Sequence, residues 1–460
     1  MNHDLTVGRP AAVLSRFCLP LLGSVFFQQL YNLADSLVAG QFLGEDALAA
    51  VGNSYEVTLI FLAFAVGCST GVSVVAAQLF GGGRHREMRT AISSSLIAVA
   101  VLCGVMMVGG LLCSRALLLL IQTPEELIAD SKLYLDIYIY GLPFLFFYNM
   151  ATGIFAALGD SRTPFLLLAC SSTANIGADV LSVTVCGRGI DGVAWATFLC
   201  QGVACVVAMT LCLRRLRGIP MEGKPPLFSG KLLLRVVRVA IPSTMQQGFI
   251  SVGNIMIQGV INTFGKATIA GYAATIKLNN LFTTSLATVG NGVAGYTGQN
   301  LGAGRIDRIR QGYRASLLMM LPVCLTVTAL YWFAGGPLLS LFSSDLSPVA
   351  SETGRNFLRI VSPFYVVVSV KIMADGVLRG AGLMREFMVD TFADLLLRVA
   401  AVYVLAPQFG MNGVAATWPF GWIVGTVLAV IFYFRSVRRL EKENAPVPEL
   451  PAEGEIDGMQ

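Results

Sequence analysis

Apolar residues fill twelve long stretches of the chain, at about 14–40, 48–78, 91–113, 128–152, 163–185, 190–213, 236–262, 268–298, 315–335, 353–378, 386–406 and 411–434. A helix crosses a bilayer with about 20 apolar residues. The pattern therefore predicts an all-α polytopic membrane protein of twelve transmembrane helices. Of the 460 residues, 55% are hydrophobic and 13% charged, against about 25% charged in a typical soluble domain. That balance excludes an ordinary soluble enzyme and a disordered or collagen-like chain.

The chain repeats itself. Ala77-Gln78-Leu79-Phe80-Gly81-Gly82-Gly83-Arg84 returns as Gly298-Gln299-Asn300-Leu301-Gly302-Ala303-Gly304-Arg305, an offset of 221. Phe42-Leu43-Gly44 meets Thr263-Phe264-Gly265, and Gly192-Val193-Ala194 meets Gly413-Val414-Ala415, at the same offset. Gly153 and Gly159 meet Gly376 and Gly382 at 223. Residues 1–213 and 236–434 thus read as two copies of a six-helix unit. Six is even, so both copies enter the membrane from one side and form two lobes about a pseudo-two-fold along the membrane normal. A basic, proline-bearing linker, 214–235, joins them. Residues 435–460 read as a tail, and from Glu441 it holds six acids with Pro446, Pro448 and Pro451, a disordered composition.

Net charge is +5, and its placement says more than its size. With a cytoplasmic N-terminus, 23 Lys and Arg fall on the inside joints and 5 outside. The positive-inside rule then puts both termini in the cytoplasm of a cell carrying this protein in its plasma membrane. The ten cysteines lie in or beside apolar stretches without zinc-ligand spacing, so they read as packing residues.

Gly81-Gly82-Gly83 and Gly302-Ala303-Gly304 lack the Lys-Ser/Thr of a phosphate loop, and no nucleophile–base pair suggests catalysis. The expectation is a non-enzyme without cofactor, ATP or nucleic-acid partner, driven by an ion gradient. Acids within spans are costly and usually functional. Asp35 sits in the first span. Asn175 and Asp179 share a face of the fifth at i, i+4, and Thr197 lies in the sixth. Hard oxygen ligands of this kind suit a small cation or a shared proton; helix–helix hydrogen bonding is the other reading. The repeat puts Met256, Leu396, Ala400 and Trp418 at the corresponding places, so the second copy lacks the cluster. It carries other buried charges instead: Lys371 with Asp375, Asp394 with Arg398, Asp390 a turn before, and Lys277 alone. Those pairs read as self-neutralising or as contacts for substrate or ion. Pro20 and Pro242, at offset 222, should each bend a helix, as static shape or as part of a gate.

Several strings resemble the multidrug and toxic compound extrusion (MATE) family over about residues 10–435. They are Pro20, Gln28 through Asp35, Gly40, Gly44, Ala47 through Val51, Leu158-Gly159-Asp160, Ile241-Pro242, Gln299 through Gly304, and Leu378 through Gly382. The resemblance implies a two-lobed antiporter of the multidrug/oligosaccharidyl-lipid/polysaccharide exporter superfamily. It would export cationic, amphipathic compounds in exchange for Na+ or H+. The prokaryotic first-lobe cation site would fall on Asp35, Asn175, Asp179 and Thr197. Members that use a seventh-helix Glu depart from this chain, where residues 246–254 hold no acid. Each chain is expected to hold a full pathway and to work as a monomer in the bilayer. The alternative is a lipid-linked oligosaccharide flippase of the same superfamily, which would need a cationic cavity.

Overall fold

Thirteen α-helices and two single-turn 3-10 segments carry the described chain, and no strand occurs among the described residues. The computed structural model describes residues 4–38, 45–121, 123–340 and 347–443; the side chains of 32–38, 45–50, 53, 55 and 56 are outside that description. The first lobe comprises α1 (Pro10–Val38), α2 (Glu45–Gly81), α3 (His85–Leu120), α4 (Glu125–Tyr140), α5 (Leu142–Ala157), α6 (Arg162–Thr184) and α7 (Ile190–Arg217). The second comprises α8 (Gly230–Ile261), α9 (Lys266–Gly302), α10 (Ile306–Ser340), α11 (Pro348–Val361), α12 (Tyr365–Gly380) and α13 (Met384–Glu443).

Twelve passages account for these helices. The stretch 128–152, expected as one rod, is α4 and α5 bent by 48°. Pro143, in the first turn of α5, supplies no backbone donor, and the helix breaks at Gly141 beside it. In the matching passage of the second lobe, Pro363 sits in the 3-10 turn Ser362–Phe364 between α11 and α12. Helix α13 contains two passages. Gly410 has φ 59° and ψ −140°, and the chain doubles back there. The two limbs run side by side: a Cβ on Gly413 would fall 2.2 Å from the Leu405 carbonyl, and one on Gly421 3.1 Å from that of Asp394. The second limb continues helically to Glu443, beyond the expected end of the last span; residues 444–460 lie outside the described residues.

The sequence repeat is a repeat of bonds. Gly83 and Gly304 take φ +68° and +69°. Beyond them Arg84 N–H donates to the Leu79 carbonyl at 2.9 Å, and Arg305 N–H to that of Asn300 at 2.8 Å. Gly159 and Gly382 end α5 and α12 in the same way, with Asp160 N–H on the Phe155 carbonyl and Leu383 N–H on that of Leu378, both at 2.9 Å. Such a six-to-one closure needs a left-handed residue, which glycine adopts without a Cβ penalty.

One apolar core runs through α2–α5 and α7 and takes in Val236 of α8; the other runs through α8–α13 and takes in Leu14, Phe17 and Cys18 of α1. The lobes meet where α1 packs on α9 and, related by the pseudo-two-fold, α8 packs on α2. Helices α2 and α9 cross near the axis in backbone contact: a Cβ on Gly81 would fall 2.0 Å from Gln299 O, and one on Gly302 1.9 Å from Gln78 O. This crossing lies at the face that carries the loops with Arg84, Arg305 and Arg379, here called the basic face. Other links across the lobes lie there too. Gln78 Nε2 donates to Gly380 O at 2.9 Å and Gln299 Nε2 to Ala157 O at 2.7 Å. Val74 packs with Val239, Leu378, Met384 and Phe387.

Candidate cation site and the buried charges of the second lobe

Helices α6 and α7 lie against each other in the first lobe. At about 1.5 Å per residue, Asn175 sits just past the middle of α6 and Asp179 a turn further on as the helix rises from the basic face. Thr197, two turns into α7, meets them at the same level. Both α6 residues are buried, Asp179 fully. Asn175 Nδ2 approaches Thr197 Oγ1 at 3.5 Å. Asn175 Oδ1 is also buried and, among the described residues, receives no hydrogen bond. A buried amide oxygen without a donor costs about 1–3 kcal/mol, so it is poised for a ligand with positive charge. The Cys200 thiol, one turn past Thr197, lies in hydrogen-bonding reach of the Asn175 side chain. Sequence reasoning missed Cys200; its i, i+3 spacing from Thr197 was the available signal. A small cavity lined by Tyr134, Tyr138, Gly141, Phe198 and Gln201 opens onto Thr197.

The structure thus brings together Asn175, Asp179 and Thr197. The backbone of α1 runs helically through position 35, but the Asp35 side chain lies outside the described residues. Helices α1 and α6 pack on each other. Pro20 and Pro242 lie inside α1 and α8 at matching places.

The second lobe arranges its charges differently. Lys371 Nζ on α12 stands 2.8 Å from Asp375 Oδ2, as the i, i+4 spacing predicts. It stands equally close, 2.8 Å, to Asp390 Oδ2 on α13. The expected self-contained pair is therefore a two-helix triad, and Asp390 belongs with Lys371 rather than with Asp394. Arg398 pairs with Asp394 at 3.0 Å and lies 4.6 Å from the centre of the Trp418 ring on the returning limb of α13. Lys277 is exposed on α9 and forms no ion pair among the described residues.

Comparison with known proteins agrees with this architecture. The MatE family model matches residues 20–181 and again 242–404, so one pattern fits each half once, at the spacing of the internal repeat. The Probable multidrug resistance protein YpnP of Bacillus subtilis (strain 168) is 27% identical over 433 residues, covering 94% of this chain and 96% of that protein. The Probable multidrug resistance protein NorM of Thermotoga maritima is 24% identical over 432 residues, covering 91% and 89%. A solved structure of a multidrug resistance MATE family transporter of the MOP superfamily, in its outward-facing conformation, has the same fold. Its TM-score is 0.89 at 22% identity, covering 96% of this chain and 99% of that one.

Proposed function

The chain belongs to the MatE family, and on that premise we propose that it is a secondary active antiporter, not an enzyme, exporting cationic, amphipathic compounds in exchange for Na+ or H+. The observation that carries this reading is the buried Asn175 Oδ1 without a donor, beside the buried carboxyl of Asp179 and the hydroxyl of Thr197. Neither α6 nor α7 places a Lys or Arg within its span, so neither of these two helices carries a fixed cation at the level of the cluster. With Asp35 added, the set offers the oxygens that a small hard cation or a proton requires.

The basic face is cytoplasmic in this reading, with both termini there and the protein in the plasma membrane, as the Lys and Arg distribution argues. The crossing of α2 and α9 then holds the lobes together on the inside. A cation entering from outside binds the first-lobe cluster, α1 with its Pro20 responds, and substrate leaves. The lobes then rock to the inward state. Such exchange requires the ion to bind the two states with different affinity. Each chain holds a complete pathway, so a monomer suffices.

The test is uptake of fluorescent cationic dyes into inverted vesicles under an imposed Na+ or H+ gradient. One gradient should drive accumulation, and Asp179→Asn and Asp35→Asn should each abolish it while leaving the protein folded. Undiminished uptake in both variants overturns the site. Failure of either gradient to drive any of several dyes overturns the drug-export reading and directs the assay to lipid translocation.

A further inference from the structure

Two carboxylates converge on one ammonium in the cytoplasm-proximal half of the second lobe. Lys371 Nζ lies 2.8 Å from Oδ2 of Asp375 and 2.8 Å from Oδ2 of Asp390. Those two oxygens are therefore no more than twice that distance apart. Lys371 and Asp375 are each 5% exposed and Asp390 is 0% exposed, so water screens none of them. The Oδ1 atoms of Asp375 and Asp390 are also buried, and neither accepts a hydrogen bond among the described residues.

The remaining charged and titratable groups around the triad do not resolve this. On α12, the Arg379 guanidinium lies over the Phe387 ring, 5.3 Å from its centre, and forms no ion pair with Asp375. On α13, Arg398 is taken by Asp394. Tyr313 of α10 faces Asp375 and lies against Tyr433 of the returning limb of α13, ring centres 4.1 Å apart and planes tilted by 31°. Asp375 and Asp390 thus share a single close cation. Two like charges at this range in a low-dielectric interior cannot both remain ionised at moderate cost. A metal ion has no seat between them, because the ammonium already occupies the point where their oxygens converge. A proton needs no such seat: on either carboxyl it removes one negative charge and turns an orphaned acceptor into a donor.

We propose that Asp375 and Asp390 share one proton, and that with Lys371 they form an ion site in the second lobe whose ligand is H+. It is separate from the Asn175–Asp179 cluster and does not depend on its role. Nine residues along α12 from Lys371, Gly380 accepts the Gln78 hydrogen bond that joins the lobes, so the site stands on the helix that carries this link.

Infrared difference spectroscopy on the full chain in lipid bilayers, in H2O and D2O, tests this. An un-ionised carboxyl gives a C=O stretch apart from the carboxylate bands, and deuteration shifts it. The wild type should show that band at neutral pH. Asp390→Asn and Asp375→Asn should each remove a component that Asp179→Asn retains. Absence of any such band in the wild type, at every pH where the fold survives, overturns the proposal. A band undiminished in whichever of Asp390→Asn and Asp375→Asn folds overturns it equally. Because the readout needs no substrate, it can fail while the antiport assay succeeds, and the reverse.

Discussion

The two lobes share a backbone plan and differ in how they treat buried charge. In the first, Asp179 lies with Asn175 and Thr197 on spans that contain no lysine or arginine. In the second, Asp375, Asp390 and Asp394 are fitted around Lys371 and Arg398. Leaving a charge buried and unpaired is far costlier than burying it with a partner. The second lobe meets that cost mainly with its own side chains. The first places no lysine or arginine within the spans of α6 and α7, the arrangement expected of a site for an exchangeable cation. In the proposed reading one cluster is emptied and refilled, while the other keeps its cations.

The sharpest way to break this contrast is to remove a resident cation. Lys371→Met takes away the only ammonium that Asp375 and Asp390 contact among the described residues. The loss should be about 3–5 kcal/mol, the typical cost of breaking a buried ion pair, and should appear as a large fall in thermal midpoint and membrane yield. A midpoint within a few degrees of wild type would refute the resident-cation account.

Ion-dependent stability sharpens the same contrast from the first lobe. A ligand that binds only the folded state stabilises it by about 2.7 kcal/mol at a hundredfold excess over its Kd. Wild type and Arg398→Lys should both gain stability as the coupling ion is added, because Arg398 is remote from α6. Asp179→Asn should not gain. An equal response in Asp179→Asn would move the ion elsewhere.

The crossing of α2 and α9 serves both lobes equally, so the contrast should vanish there. A Cβ on Gly302 would fall 1.9 Å from Gln78 O and one on Gly81 2.0 Å from Gln299 O. Both contacts are with backbone, which cannot rotate away. Gly302→Ala and Gly81→Ala should each cost about 1–3 kcal/mol, the usual range for overpacking. Each should wedge the basic face open. Cysteine labels on that face, at Arg86 and Asp307, should move apart in both variants. Unchanged separation would mean that the crossing does not hold the lobes together.

Much of this was legible in the sequence, for a physical reason. The glycines at 83, 159, 304 and 382 reappear as left-handed helix ends because only glycine takes that conformation readily. Asn175 and Asp179 share a face because 3.6-residue periodicity makes them do so. The partnership of Asp390 with Lys371 was not legible, since spacing along one helix says nothing about a neighbouring helix. Spacing alone groups Asp390 with Asp394 for that reason. The break between α4 and α5 was hidden within an unbroken apolar run. Only Gly141 and Pro143 marked it, and Pro20 lies within a helix that continues through it.

The smallest effect concerns the segments that lead into α1 and α8. Each crosses to the opposite lobe. Residues 5–8 are held by the second lobe: Arg308 donates to Gly8 O at 2.9 Å and Leu5 O at 3.4 Å, Arg305 to Thr6 O at 3.0 Å, and Leu5 N–H donates to Gln299 Oε1 at 2.9 Å. Residues 216–229 are held by the first lobe: Arg89 donates to Leu216 O and Ile219 O, Arg86 to Lys224 O at 3.2 Å, and Ser93 to Leu227 O at 2.6 Å. The two straps thus brace the junction between the lobes from opposite sides. A hydrogen bond from a charged donor is worth about 1.5–3 kcal/mol, and the remaining bonds of each strap will absorb part of its loss. Arg308→Ala should therefore cost about 1 kcal/mol and speed hydrogen exchange at Leu5 several-fold, leaving 216–229 unchanged. Arg89→Ala should do the reverse. Equal acceleration of both straps in either variant would mean that they open as one unit, and the two-sided brace would be lost as an explanation.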